Sequence, residues 1–161
     1  MKISIILLIA LISTTLHSQC TDLKTTKRPD NNTIKYFNPK PIIRQDAYEV
    51  GSAIYKNTTT GKYMVNITVF FKKMTPKDIT GKLTIQTTNN VGIELPLLLS
   101  EQVDMNGNKT VVALYEIDSK SLVELKKYPL KSIYFYLEGK MYGATTTENK
   151  SLFIGQFPCF N

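Results

Sequence analysis

The stretch "KYMVNITVFF", residues 62–71, decides the fold class of this chain of 161 residues. Its apolar side chains recur at every second position, which is the period of a β-strand that buries one face. The predicted core face carries Tyr63, Val65, Ile67, Val69 and Phe71, and the opposite face carries Met64, Asn66 and Thr68. We therefore predict a strand with one face in the core and the other face in water.

The segments on both sides of this stretch also read as strands. "AYEVGSAIYK", which begins at Ala47, is separated from it by "NTTTG", where Gly61 can adopt a positive φ, so the two segments form a predicted hairpin. Downstream, "KLTIQTT" directs Leu83 and Ile85 to one face. "IELPLLL" follows, and its Pro96 indicates an edge strand or a bulge.

The next segments predict a turn and one helix. Asn106 and Gly107 are a favoured pair for a two-residue hairpin turn, and they lead into "TVVALYEI" after a weakly apolar arm. In "DSKSLVELKKYP", Ser121 and Glu124 have the spacing of a capping box, and Pro129 ends the helix. We expect this short helix to cross from one sheet to the other.

The last third of the chain returns to a strand pattern. "KSIYFYLEG" is followed by "KMYGATT" and by a last predicted strand, "SLFIGQF". Together the segments predict an all-β fold, an antiparallel β-sandwich (immunoglobulin-like or related) of about seven or eight strands with one short helix. A small β-barrel is the alternative. The expected buried set is Val65, Ile67, Val69, Leu83, Ile85, Ile133, Phe135 and Leu137.

The first residues predict export from the cytoplasm. Lys2 precedes the apolar run "ISIILLIALI", and small and polar residues follow it, as in a secretory signal peptide that is cleaved after Ser18. The run is shorter than the roughly 20 apolar residues of a membrane-spanning helix. The expected organisation is a signal peptide at 1–18, a polar and partly extended lead-in at 19–46, and the sandwich domain at 47–161. The expected location is secreted or periplasmic.

The two cysteines lie near opposite ends of the mature chain. Cys20 follows the predicted cleavage site, and Cys159 is the third residue from the end of the sequence. Domain termini are often close in space, and disulfides persist in oxidising compartments, so we predict a Cys20–Cys159 disulfide. The alternative is an outer-membrane lipoprotein anchored through Cys20, although His17 and Gln19 fit a lipoprotein signal poorly.

The residue inventory excludes most catalytic chemistries. The one histidine, His17, lies in the predicted leader, so the mature chain has no imidazole for acid–base catalysis or zinc binding. No phosphate-binding loop or dinucleotide fingerprint occurs. "DMNGN", from Asp104, lacks the spacing of an EF-hand calcium loop and reads as a hairpin turn. We expect no cofactor and no metal.

A glycosidase pair of carboxylates is the remaining catalytic possibility. Its candidates are Glu94, Glu101 and Glu116. The pattern does not place them together. We therefore predict that the protein is not an enzyme, and keep a histidine-independent enzyme as the least favoured alternative.

Surface residues suggest where a partner binds. Tyr134 and Tyr136 alternate with the predicted core residues of their strand, and Tyr142 is near, so these tyrosines form a candidate binding surface. The formal net charge is +7, but the lysines are scattered. Acceptor sequons for N-glycosylation, relevant in a eukaryotic source, occur at Asn31, Asn57, Asn66, Asn108 and Asn149.

These observations favour a non-catalytic secreted or periplasmic binding or interaction module. Its expected partner is a protein or a polysaccharide, not nucleic acid, and it meets a membrane only if Cys20 is lipidated. The first alternative is a structural or accessory component of the cell envelope.

Overall fold

A computed structural model describes residues 20–105 and 107–161 of the chain. The predicted signal peptide, residues 1–18, lies outside them. Within these residues the chain forms eleven strands in two antiparallel sheets, two short α-helices and a terminal 3₁₀ turn. The predicted antiparallel two-sheet architecture is confirmed, with more strands than the sequence pattern indicated.

Seven strands form the first sheet, in the order β1-β2-β4-β5-β9-β8, and β3 pairs with part of β4. Their bounds are β1 Lys24–Lys27, β2 Thr33–Tyr36, β3 Lys40–Arg44, β4 Tyr48–Asn57, β5 Tyr63–Phe71, β8 Leu97–Met105 and β9 Asn108–Ile117. The quoted stretch is β5. It lies near the middle of the sheet, between β4 and β9.

Four strands form the second sheet, in the order β11-β10-β6-β7. Their bounds are β6 Ile79–Thr87, β7 Gly92–Leu95, β10 Leu130–Leu137 and β11 Lys140–Thr145. The helices are α1 Ser119–Lys127 and α2 Leu152–Gln156, and the 3₁₀ turn is Phe157–Phe160. As expected, α1 connects a strand of the first sheet, β9, to a strand of the second, β10.

The hydrophobic core lies between the two sheets. All eight residues of the expected buried set are in it, and each is at most 1% exposed. The N-terminal lead-in also contributes, because it supplies β1, β2 and β3, and because Phe37, Ile42 and Ile43 are buried in the same core. The lead-in therefore supplies three strands of the first sheet and part of the core.

The prediction that the second face of β5 is wet is wrong. Met64, Asn66 and Thr68 are all buried, with at most 8% of each side chain exposed. A period of two reports which side chains share a face, but burial of a face depends on what surrounds it. Here the first sheet curls, so side chains of neighbouring strands, such as Ile34, Tyr55 and Leu114, pack against Met64 on this face.

The prediction of a last strand at "SLFIGQF" is also wrong, because this segment is helical. Phe153, Phe157 and Phe160 are spaced by three or four residues, which places them on one side of a helical segment, and all three are buried. Phe160 packs edge-on against Phe37 and Tyr63. The two helical pieces, residues 152–160, form a C-terminal cap on the first sheet.

The cap also completes the hydrogen bonding of β4. The first half of β4 pairs with β3, and its last three residues pair with β2. Between the two partners, the backbone N–H of Ile54 donates to the side-chain oxygen of Gln156 at 2.8 Å. A buried backbone N–H requires an acceptor, and Gln156 provides it at the position between β2 and β3.

Helix α1 begins earlier than the capping-box spacing indicated. Asp118, and not Ser121, is its N-cap, and Asp118 accepts hydrogen bonds from the backbone N–H and the hydroxyl of Ser121. These hydrogen bonds lower the pKa of Asp118. Glu124 instead accepts a hydrogen bond from Thr87 of β6, which fixes the helix to the second sheet. The helix ends before Pro129, as predicted.

The predicted disulfide between Cys20 and Cys159 is confirmed, with the two Cα atoms 5.4 Å apart. It links the residues before β1 to the C-terminal cap across 139 positions of sequence. Disulfides form and persist in oxidising compartments, so the bridge indicates a location outside the cytoplasm. Across residues 20–105 and 107–161, no helix combines the length and apolarity needed to span a membrane.

Candidate functional site

The structure brings together two of the three tyrosines predicted to form a binding surface. Tyr134 and Tyr136 lie on the outer face of the second sheet and are half-buried. Tyr142 pairs with Phe135, and its ring contacts both Phe135 and Tyr48. It therefore lies on the core side of the sheet, because residues directly opposite each other on antiparallel strands share a face.

The three candidate carboxylates are not brought together. Glu94 lies on β7, in the second sheet, where it forms an ion pair with Lys82. Glu116 forms an ion pair with Lys62, with 2.8 Å between nitrogen and oxygen. Glu101 lies on β8, opposite a β9 residue four positions from Glu116, which corresponds to a separation of about 13 Å along the strand.

β8 and β9 form the predicted hairpin, and Asn106 of its predicted turn lies outside the described residues. Met105 pairs with Asn108, and the backbone N–H of Gly107 donates to the carboxylate of Asp104 at 2.7 Å. In the parts of the chain that the structure describes, no three His, Cys, Asp or Glu side chains are grouped as metal ligands would be.

The acceptor sequons differ in accessibility. Asn66 is fully buried in β5, so its amide is closed to a glycosyltransferase in the folded protein. Asn31 and Asn149 are exposed and have positive φ angles of 64° and 51°. Asn57 is half-buried and Asn108 is exposed.

A cavity of about 500 Å³ lies on the face of the first sheet that points away from the core. We call it the outer groove. It is lined by Thr26, Arg28, Asp30, Asn32, Ile34, Tyr36, Tyr55, Asn57, Met64, Leu98, Leu99 and Leu114. These residues come from both edge strands, β1 and β8, and from the strands between them, so the sheet curls around the groove.

The floor of the outer groove is a second apolar cluster, separate from the main core. Ile34, Met64 and Leu114 form it and are 7–9% exposed. Tyr36 and Tyr55 pack against it, with their ring centroids 5.2 Å apart and their planes at 38°. The two tyrosines face each other because their positions are paired in the β2–β4 register. They provide a large aromatic wall at low entropic cost.

One end of the groove is polar. The turn between β1 and β2 contributes Arg28, Asp30 and Asn32, and Asn57 donates to the side-chain oxygen of Asn32 at 3.2 Å. Hydrogen bonds from Asn32 lower the pKa of Asp30, and Arg28 contributes to the same shift. Asp30 is therefore ionised at neutral pH. Arg28 forms no ion pair among the described residues.

The other end of the groove is apolar and open to solvent. Leu98 and Leu99 of β8 are 48% and 37% exposed, which is unusual for leucines on a strand. The β8–β9 register shifts between Leu97 and Leu99, so the backbone is irregular at this point. Leu97 still contacts the core, while the following two leucines line the groove. A local bulge of this kind redirects side chains at a sheet edge.

The outer groove combines apolar walls with a neutral phenol. Burial raises the pKa of Tyr55 to about 12, with a smaller contribution from Tyr36, so its phenol is neutral at physiological pH and acts as a hydrogen-bond donor or acceptor. Both described cysteines are in the disulfide, so no thiol lines the groove. Apolar walls with polar groups at one end are typical of pockets that bind and orient a small molecule.

Sequence reasoning missed this groove. The available signal was the apolar content of the face of β5 that was predicted to be wet, where Met64 lies, and of the matching face of β9, where Leu114 lies. An apolar residue on a predicted solvent face indicates a second covering surface. The position of Tyr36 beside Tyr55 follows from strand pairing, which local patterns do not encode.

Comparisons with known proteins identify no relative: no family model matches the chain, and no curated protein or solved structure matches it significantly.

Proposed function

We propose that this chain is an exported, non-catalytic binding module, secreted or periplasmic, and that the outer groove is its binding site. One observation carries the proposal. The cluster of Ile34, Met64 and Leu114 and the Tyr36–Tyr55 pair line a cavity and are separate from the main core. A concave apolar pocket with a few polar groups at one end is the usual form of a small-molecule site.

The shape and polarity of the groove favour a single-chain amphiphile, such as a fatty acid. The volume of about 500 Å³ lies within the range of small-molecule pockets. The apolar chain lies over the floor and extends toward Leu98 and Leu99. The anionic head lies at the β1–β2 turn on the side of Arg28, whose guanidinium can donate to it, while the ionised Asp30 accepts a hydrogen bond from the backbone N–H of Asn32.

Export is supported by the predicted leader and by the disulfide. A bridged Cys20 has no thiol available for acylation, so the disulfide argues against a lipid-anchored envelope component. The absence of histidine after His17 and the separation of the carboxylates argue against the enzyme alternative. Together these features favour a free binding module.

The experiment is a fluorescence titration of the mature protein with cis-parinaric acid, a fatty acid whose emission rises in an apolar environment. Wild-type protein should bind it with saturable enhancement. The double variant Leu98→Gln/Leu99→Gln should bind roughly tenfold more weakly, because two exposed leucines no longer cover the chain.

The matched control is Met141→Gln, which also replaces an exposed apolar side chain on a strand, but outside the groove. It should leave the affinity within about twofold of wild type, a difference below 0.5 kcal/mol. Failure of the wild-type protein to bind, or an equal loss in the control, would contradict the proposal. Both variants are first checked for unchanged far-UV circular dichroism.

A further inference from the structure

Four lysines converge on a second surface, on the opposite face of the same end of the first sheet. They are Lys27 of β1, Lys35 of β2, Lys56 of β4 and Lys126 of α1, which we call the lysine surface. Lys35 pairs directly with Lys56, and Thr25 pairs with Lys35. Lys27 lies two residues from Thr25, so the three strand lysines share one face.

Two of these ammonium groups contact the same aromatic ring. The ammonium of Lys56 lies 5.0 Å from the ring centroid of Tyr63, and that of Lys126 lies 5.5 Å from the same centroid. Lys126 is also 5.7 Å from the ring of Phe157. These contacts place both ammonium groups within about one Debye length of each other at 0.1 M salt.

Among the described residues, no ion pair neutralises the lysine surface. Within residues 20–105 and 107–161, none of its four lysines forms an ion pair. Elsewhere, Lys62, Lys72, Lys77 and Lys82 each contact a glutamate. Like charges directly opposite each other on neighbouring strands are destabilising, so the Lys35–Lys56 pair has a cost that a bound anion would offset.

We infer that the lysine surface binds a soluble polyanion, an acidic polysaccharide in the compartment to which the chain is exported. The cations come from four separate elements, so they match repeated negative charges along a polymer better than one small anion. A membrane is a poorer fit, because its three strands, β1, β2 and β4, carry no exposed large apolar side chain in the described residues, and α1 carries one, Val123. This inference is independent of the outer groove.

The test measures binding of fluorescein-labelled dextran sulfate by anisotropy, with labelled neutral dextran of the same size as the ligand control. Wild-type protein should bind the sulfated polymer only, and the affinity should fall steeply between about 50 and 200 mM salt. The variant Lys27→Gln/Lys35→Gln/Lys126→Gln should bind about tenfold more weakly and show a shallower salt dependence. Lys56 is retained because its ammonium donates to the Phe160 carbonyl of the cap.

The matched control is Lys73→Gln/Lys109→Gln/Lys120→Gln, which has the same net charge as the lysine-surface variant. It removes exposed lysines that form no ion pair among the described residues. It should bind nearly as well as wild type. Equal weakening in both variants would show a response to net charge alone and would overturn the inference. So would an absence of binding, or binding to vesicles of anionic phospholipid but not to the polymer. Titration with cis-parinaric acid should be unaffected by either variant.

Discussion

The two faces of the first sheet are both buried on β5, but they are buried by different means. On the core face, Val65, Ile67 and Val69 pack against the second sheet and are fully excluded from solvent. On the other face, Met64 belongs to a separate apolar cluster and lines the outer groove. One face is therefore filled by the chain itself, whereas the other lines an open groove.

The Cys20–Cys159 disulfide connects the groove side of the first sheet to its core side. Cys20 precedes β1, and Thr26 and Arg28, at the end of β1 and just after it, line the groove. Cys159 lies in the cap that covers the core face. The disulfide thus fixes the edge of the groove to the part of the molecule that packs against the core.

The largest predicted effect tests the core face. Phe135→Ala removes a fully buried ring that contacts Tyr48 and Tyr142. It should lower the free energy of unfolding by about 3–5 kcal/mol, because the lost transfer energy adds to that of the cavity. Denaturant titration measures this. A loss below about 1 kcal/mol would show that the core lies elsewhere.

The second prediction concerns the disulfide. Replacing both Cys20 and Cys159 by serine should lower the free energy of unfolding by about 2–4 kcal/mol, chiefly because the unfolded chain regains conformational freedom. The strand signal in circular dichroism should persist, and reduced wild-type protein should match the variant. A thiol assay on unfolded, unreduced wild-type protein should find no free cysteine; two titratable thiols would contradict the bridge.

A third prediction compares the two faces of β5 directly. Met64→Ala on the groove face should cost about 1–2 kcal/mol, while Ile67→Ala on the core face should cost about 2–5 kcal/mol. The groove face has space next to Met64 already, so truncation creates less new cavity. Thermal and denaturant unfolding of both variants measure the difference. Equal losses would mean that the groove face is packed like a core.

The smallest predicted effect on stability is at the rim of the groove. Leu98→Gln/Leu99→Gln should change the free energy of unfolding by no more than about 0.5 kcal/mol per site, since both leucines are substantially exposed. The same variant should weaken fatty-acid binding. A large loss of stability would instead assign these leucines a packing role.

Local patterns predicted the core face well. The alternation in β5 and β10 identified Ile67 and Phe135 as buried, because successive side chains of a strand point to opposite faces of the sheet. The disulfide followed from the position of two cysteines alone. These features depend on neighbours in sequence or on the chain ends.

The groove could not be predicted in the same way. It depends on sheet curvature, on the β8 irregularity after Leu97, and on the β2–β4 register that places Tyr36 beside Tyr55. The prediction of a strand in the C-terminal cap was wrong for a related reason. "SLFIGQF" is a short apolar run, and the sequence pattern of such a run does not distinguish a strand from a helix. Tertiary packing of Phe153 and Phe157 decides its conformation.

We propose that this protein binds its ligand in the outer groove. The most direct measurement is a titration of isotope-labelled mature protein with dodecanoate, followed by amide chemical shifts in two-dimensional NMR spectra. We predict the largest saturable shifts at groove residues, including Tyr36, Tyr55 and Leu114, with the amides of Tyr134 and Tyr136 unchanged. Shifts centred on the outer face of the second sheet, or no saturable shifts at all, would contradict the account.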